Sequence, residues 1–337
     1  MTSVAVVIPF YQRSPGVLDR SLKSVFAQDL PTDTMVRIVI TDDDSPIALD
    51  AELATITAPA GFEIVALRRA NGGPGAARNT SLDSLDVRNT DFVAFLDSDD
   101  IWKPRHLADG LAALSDDADF YFCDHERWHN ADSWFVESKS VRRWLEGQDD
   151  MFAIVPGMPD IMEFAPGRAL LAFLVDYLAQ TSTVIYRFSS FVALRFDAAL
   201  RHAGEDNMFW LDLANKARAV RFSRRANVAT GEGVNMYFSS LMSWDHPDAA
   251  RRIGYNVLFL ARATNRFGKV RNAKAVMHQR YWAWQKEFAW VSVRKMVRDR
   301  NVDLSTVLDL VRERKSLAVT LPLAFAASIV RRPQSDA

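Results

Sequence analysis

Short apolar runs punctuate the first part of the chain: Val4 to Pro9, Val36 to Thr41, Phe62 to Leu67, Phe92 to Leu96 and Asp119 to Cys123. They are apolar without alternation, as strands covered on both faces are, and predict a parallel sheet of βαβ units. The segments between them carry helical patterns, such as Val17, Leu18, Leu22, Val25 and Phe26. Start signals mark these helices. Ser14 and Pro15 suit N-cap and first helical residue, Gly73-Pro74-Gly75 opens Ala76 to Leu85, and Lys103-Pro104 opens His106 to Leu114. Thr183 to Arg187 reads as a further strand and Glu205 to Arg218 as a helix.

From Arg127 to about Gln180 the periodicity fails, with Trp128, Trp134 and Trp144 ahead of Pro156, Pro159 and Pro166, which predicts a loop-rich insertion. Residues 247 to 314 are strongly helical, and Tyr281, Trp284, Phe288 and Val291 form a stripe that a packed helix buries. Leu317 to Val330 is almost wholly apolar, but it is shorter than the ~20 residues of a membrane span and is broken by Pro322. It either lies in a membrane interface, with Arg312, Arg314, Lys315, Arg331 and Arg332 on anionic headgroups, or docks on the body or a partner. The expected organisation is a sheet domain over 1–245 and a helical, basic region over 246–337.

Composition narrows the class. With 337 residues, 49% hydrophobic and 25% charged, the chain is an ordinary globular protein and not a disordered, collagenous or polytopic membrane one. Its single cysteine, Cys123, excludes an internal disulfide framework and a cysteine-rich zinc site. Met1 to Pro9 lacks the basic and long apolar regions of a secretory leader, so a cytoplasmic location is expected. The net charge of −1 hides an asymmetry: residues 1–248 hold 36 acidic and 23 basic side chains, residues 249–337 hold 6 and 18. The two parts therefore suit different partners.

The densest chemistry is Asp97-Ser98-Asp99-Asp100, three carboxylates directly after an apolar run. Such crowding is repulsive unless a cation or donors from a ligand neutralise it. Oxygen-only donors favour Mg²⁺ or Mn²⁺ over zinc, with water and substrate phosphates completing the shell. A helix cap with first-turn acids accounts for one or two of the three, not all. Asp42-Asp43-Asp44-Ser45-Pro46 follows another strand at the same expected edge, and there a carboxylate accepts from a base or ribose, or simply closes an Asx-turn.

Asn71-Gly72-Gly73-Pro74-Gly75-Ala76-Ala77-Arg78-Asn79 joins a flexible loop, a helix start and a cation, a combination that suits a diphosphate. It is neither a Walker loop nor a dinucleotide fingerprint. Gly204-Glu205-Asp206 opens a helix, where the acids serve either as a general base or as first-turn acids favoured by the dipole. His125-Glu126-Arg127-Trp128-His129 matches H-E-x-x-H, but it follows a strand into an irregular segment, whereas a zinc protease needs both rings on one helical face. No Ser-His-Asp or Cys-His constellation is present, and only the basic tail offers anything to nucleic acid, so no nucleic-acid partner is expected.

Taken in order, Val6-Val7-Ile8-Pro9-Phe10-Tyr11, Asp42-Asp43, the loop from Asn71 to Asn79, Asp97-Ser98-Asp99-Asp100 and Glu205-Asp206 resemble glycosyltransferase family 2, the GT-A enzymes. The resemblance covers about residues 4–245 and is strongest toward bacterial exopolysaccharide glucosyltransferases of the succinoglycan type. It implies an α/β GT-A fold, a mostly parallel Rossmann-like sheet flanked by helices, with a helical extension. It implies that Pro9 and Tyr11 line a nucleotide pocket, that Asp42 or Asp43 contacts uracil, and that Arg78 approaches the diphosphate, with Asn71, Gly72 and Ser98 beside them. Asp97 and Asp99 become the DxD element for Mn²⁺ or Mg²⁺, Asp99 the more direct ligand, and Asp206 the base with Glu205 its neighbour. Asp44 departs from the pattern, since the family more often has glycine there.

The activity so implied is inverting transfer from a UDP-sugar, UDP-glucose in the first instance, to an oligosaccharide on a polyprenyl carrier. The protein would be peripheral on the inner face of the cytoplasmic membrane. Rival expectations are a sugar-nucleotide pyrophosphorylase, which wants a Gly-rich loop after the first strand where Phe10 to Ser14 has no glycine, and a non-catalytic nucleotide-sugar binding module.

Overall fold

The computed structural model describes the chain apart from residues 115–116, 128–129, 131, 148–150, 232–245, 271–272, 300–302 and 331–337. The strands are β1 (Thr2–Phe10), β2 (Thr34–Asp42), β3 (Phe62–Arg68), β4 (Phe92–Phe95), β5 (Ile101–Trp102), β6 (Phe120–Glu126), β7 (Phe152–Val155), β8 (Met158–Phe164), β9 (Ile185–Arg187) and β10 (Val220–Ala229). They form one mixed sheet in the order β3-β2-β1-β4-β9-β6-β10-β8-β7, with β5 paired to β10. The helices through the sheet region are α1 (Val17–Phe26), α2 (Leu49–Leu53), α3 (Pro74–Asp83), α4 (His106–Ala113), α5 (Trp134–Glu137), α6 (Lys139–Gly147), α7 (Arg168–Val175) and α8 (Glu205–Lys216).

The five apolar runs are the strands β1, β2, β3, β4 and β6. In β1 both alternating sets are buried, Val6 and Ile8 on one face and Ala5 and Val7 on the other, so no polar alternation appears in the sequence. Val4, Val6 and Ile8 lie opposite Val36, Ile38 and Ile40 of β2 in parallel register. Each such fully buried side chain stabilises the sheet by about 1.5–3 kcal/mol. β1 to β4 run parallel, and β9 is antiparallel to both β4 and β6, so β6 and its parallel partner β10 share the direction of the first four. Six carboxyl ends therefore meet at one edge.

Two local expectations are corrected, and one strand had no signal in the sequence. α1 begins at Val17 with Gly16 as its cap in the left-handed region (φ 80°), not with Ser14. A glycine adopts that conformation freely, and its N–H donates to the Glu52 carboxylate at 2.9 Å in place of a side-chain cap. The 127–180 segment is not chiefly loop: α5, α6, the β7–β8 hairpin and α7 fall within it. β10 carries no apolar run, because the buried Arg221 interrupts it. That guanidinium is neutralised by Glu163 at 2.7 Å and Asp117 at 2.9 Å, which lets a charge sit in a strand paired on both sides.

By packing, the chain forms two compact units, Met1–Ala198 with Phe209–Val234, and Ala199–Met208 with Asn235–Ala337. A decapeptide ahead of the expected 245/246 boundary thus belongs with the helical unit, and α8 passes from that unit into the sheet unit after Met208. The second unit contains α9 (Ala249–Phe267), α10 (Ala273–Asp299), α11 (Leu304–Glu313) and α12 (Leu317–Val330). Tyr281, Phe288 and Val291 of the expected stripe are buried there, and Trp284 is half-buried. Among the described residues no helix is long and apolar enough to cross a membrane.

Candidate functional site

The parallel strands deliver their following residues to the shared edge: Tyr11 and Gln12 after β1, Asp43 after β2, Asn71 and Gly72 after β3, and Asp97 to Asp100 after β4. Pro9 and Asp42 close β1 and β2 themselves, in register with Thr41 and Phe10. Hydrogen bonds knit these loops together. The Gln12 side chain, buried at 3% exposure, donates from Nε2 to Ser98 Oγ at 2.8 Å, and the Gln12 backbone N–H donates to Ser45 Oγ at 2.9 Å. Ser21 Oγ on α1 donates to the carbonyls of Ser98 at 3.0 Å and Asp100 at 2.7 Å. The acidic loop is therefore held from the strand before it and from the first helix.

The two aspartates after β2 have different work. Asp43 is buried, and its carboxylate accepts from the backbone N–H of Gly72 at 2.9 Å and of Gly73 at 2.7 Å, with the Arg69 guanidinium at 3.3 Å. Asn71 Nδ2 donates to the Asp43 carbonyl at 2.8 Å. Asp43 thus shapes the glycine loop ahead of α3. Asp42, partly exposed, closes an Asx-turn by accepting from the Ser45 N–H at 2.8 Å. Asp44 lies in the left-handed region (φ 61°), which explains why glycine suits this position: a β-carbon there costs about 1–2 kcal/mol.

Arg78 sits on α3 with its side chain 4% exposed, and its Nη2 donates to Asp97 Oδ1 at 2.6 Å. The guanidinium carbon lies 5.3 Å from the centre of the Phe196 ring. The cation expected at the diphosphate is thus locked against the first carboxylate of the acidic loop.

Each carboxylate of the acidic loop has its own setting. Asp97 is paired with Arg78 and its side chain is 27% exposed. Asp100 is buried and spent inside the fold: it accepts from the Gly231 N–H at 2.8 Å, from Gln180 Nε2 at 2.7 Å and from Ser182 Oγ at 2.5 Å. Burial, with Asp99 and Asp97 close by, pushes it well above the usual carboxylate range. Asp99 is partly exposed, and burial together with the Asp97 carboxylate pushes it up to about 6. Among the described residues its own backbone N–H is the one donor to its carboxylate, and Arg20 is the one cation that lowers it. Among the described residues, negative charge is crowded at Asp99 with Arg20 alone opposing it.

That donor set fits a hard divalent ion. Among the described residues no three His, Cys, Asp or Glu side chains gather into a cage, but Mg²⁺ and Mn²⁺ sites take one or two carboxylates and fill the rest with water and phosphate oxygens. Asp99, short of counter-charge, and Asp97, part-exposed, are the residues that would hold it. His125 offers no zinc site: it lies in β6, 3% exposed, its ring stacked on Trp134 at 6.1 Å, and burial lowers it to about 3. His129 lies outside the described residues.

Glu205 and Asp206 are the first two residues of α8, as expected for helix-opening acids, and belong to the second unit. Asp206 Oδ1 accepts the N–H of Asn207 at 2.7 Å. One turn further along, Phe209 and Trp210 lie in the sheet unit, each 5.7 Å from Phe95, whose strand leads into the acidic loop. The sequence reading did not find Gln12, Ser21, Arg69, Gln180, Ser182 or Gly231. Their neutral or isolated side chains carry no pattern, and only the tertiary fold brings them to the acids.

The sequence profile described as "Glycosyl transferase family 2" matches residues 5–167. The succinoglycan biosynthesis protein ExoW of Rhizobium meliloti (strain 1021) is 35% identical over 245 residues, 71% of this chain and 72% of that protein. Two solved structures share the fold. One is S. aureus TarS 1-349 in complex with UDP-GlcNAc, with TM-score 0.51 and 19% identity over 96% of this chain and 92% of that one. The other is the mannosyltransferase PcManGT from Pyrobaculum calidifontis in complex with GDP-Man and Mn²⁺, with TM-score 0.55 and 16% identity over 97% of this chain and 80% of that one.

Proposed function

Because the chain belongs to glycosyltransferase family 2 and has its GT-A fold, we propose that it transfers a hexose, glucose in the first instance, from a UDP-sugar to a saccharide acceptor with inversion. The observation that carries this reading is the partly exposed Asp99 carboxylate, pushed up to about 6 by burial and by Asp97, at an edge where four strand-end loops converge. Such a site awaits positive charge and an anionic ligand that brings it. A divalent ion held by Asp99 and Asp97 would supply neutralising charge for the diphosphate.

The chain's own residues do the rest. Asp43 and Asn71 shape the glycine loop, whose first-turn N–H groups at the start of α3 suit the diphosphate. Arg78 holds Asp97 in place. Pro9, Tyr11 and the remaining oxygen of Asp42 are assigned to the nucleoside. Asp206 takes the proton from the acceptor hydroxyl, Glu205 beside it. The acceptor oxygen bonds to the anomeric carbon as the bond to the β-phosphate oxygen breaks, and UDP leaves. The 35% identity to a succinoglycan biosynthesis protein supports an exopolysaccharide acceptor; we take that acceptor to be carried on a lipid at the cytoplasmic face of the membrane.

Thermal shift with UDP-, GDP- and dTDP-sugars, each with and without Mn²⁺, tests the donor: stabilisation by UDP-sugars that requires the ion is expected, and a GDP-sugar preference would overturn the uridine assignment. Asp206→Asn is expected to bind UDP as wild type does in calorimetry while turnover falls at least ~100-fold. Full turnover by that variant, or by Asp99→Ala, would reject the roles given to them.

A further inference from the structure

α12 is apolar on the side it hides and on the side it shows. Leu317, Leu321 and Ala324 are buried, and between them Thr320 donates to Gln285 Oε1 on α10 at 2.6 Å, so the inner face is seated on the helical unit. The opposite flank presents Ala318, Val319, Pro322, Leu323, Ala326 and Ala327, all exposed, Val319 at 65% and Leu323 at 58%. A surface helix ordinarily turns a polar face to water, and a continuous exposed apolar stripe marks a surface that meets something else.

The rim of that stripe is cationic. Arg312 and Lys315, just ahead of α12, are both exposed. Lys315 makes no ion pair among the described residues, and the Arg312 pairing with Asp309, at 3.5 Å, leaves its side chain 76% exposed. Residues 249–337 as a whole carry 18 basic against 6 acidic side chains.

We propose that the outer face of α12, with Arg312 and Lys315 at its rim, lies in the interface of an anionic lipid bilayer. This deepens the membrane-face placement above by naming the surface that makes the contact. A bilayer offers both complements at once, acyl chains for Val319 and Leu323 and phosphate headgroups for the two cations. A second copy docking the same face would offer these two cations no carboxylate, since α12 carries no acidic residue. The helix is too short to span and so lies in the plane, its inner face on the protein.

The test uses the full chain and vesicles of phosphatidylcholine alone or mixed with phosphatidylglycerol, without donor or acceptor, so its failure leaves the transfer reading intact. Wild type is expected to sediment with the anionic vesicles and not with the neutral ones, and to be released by salt. Leu323→Asp, and separately Arg312→Glu with Lys315→Glu, are each expected to cut binding about tenfold or more with thermal stability unchanged, since these side chains are exposed. A fluorophore on Leu323→Cys supplies a second readout. Cys123 is buried and its thiol is pushed up by burial, so labelling is selective. The dye should shift to the blue with anionic vesicles, while the same dye on Val87→Cys, at an exposed position of the sheet unit, should not. Equal shifts at both positions, no sedimentation with either vesicle, or a dimer in light scattering that Leu323→Asp disperses while vesicles bind nothing, would overturn the proposal.

Discussion

The carbonyl oxygen of Asp99 occupies the place where a β-carbon on Gly231 would have to go: built there, that carbon falls 1.8 Å from it. No heavy-atom contact of that length is tolerated, so the absence of a side chain at Gly231 is what lets the acidic loop close onto the end of β10. The same glycine donates its N–H to Asp100 Oδ1 at 2.8 Å, which fastens the two segments.

Gly231→Ala is therefore expected to push the Asp99 backbone outward. A displacement of about 1 Å at a catalytic group is worth roughly 100-fold in kcat/KM. The variant should stay folded by circular dichroism, show a weakened Mn²⁺ requirement curve and lose about that much activity. Unchanged kinetics would mean that the loop position does not matter to the reaction.

Asp43 and Asp42 should separate on substitution, although the sequence presents them as a pair. Asp43→Ala removes the acceptor of two backbone N–H groups and the counter-ion of Arg69. Hydrogen bonds to a charged group are worth about 1.5–3 kcal/mol each, so a lowered melting temperature and at least ~10-fold weaker UDP binding are expected. Asp42→Ala opens one Asx-turn and should leave the melting temperature nearly unchanged, with any loss confined to nucleotide affinity. Calorimetry with UDP, run beside thermal melts, reads both. Equal destabilisation by the two variants would contradict the division of labour.

The sheet unit is expected to weaken in acid through a buried ring. His106 on α4 is fully buried, its ring tilted against Trp102 at 4.5 Å, and burial lowers it to about 3. Between about 3 and its ordinary value of about 6.5 the unfolded chain binds a proton there that the folded chain does not, so stability falls as pH falls through that window and is full above it. By pH 4 this one group costs roughly 3 kcal/mol. His106→Phe keeps an aromatic ring beside Trp102 and removes the titration, so the variant should lose less stability than wild type between pH 6.5 and pH 4 in urea melts. Parallel curves would show that His106 is not the source.

What the sequence shows and what it hides divide along physical lines. β1, β2, β4 and β6 were readable because strands covered on both faces are apolar nearly throughout, and that demand acts residue by residue; β3, the half-buried edge strand, was readable from its short apolar run alone. β10 was not, because polar residues interrupt it and its buried Arg221 is held by partners such as Glu163 and Asp117, which stand 58 and 104 positions away along the chain. The helices within 127–180 escaped for a related reason: short elements settle by packing on neighbours rather than by their own period.

The acids after β2 and β4, the glycine loop and Arg78 were visible in the sequence because charge crowding and loop flexibility are local properties. Composition also sufficed to show an acidic first part and a basic second. What each acid does was decided by the fold alone: Asp100 is consumed by Gln180, Ser182 and Gly231, Asp43 by the glycine loop, Asp97 by Arg78, and Asp99 is left short of counter-charge. Partners brought together from 19 to 131 positions apart set the charge balance of a carboxylate, and no local pattern encodes them.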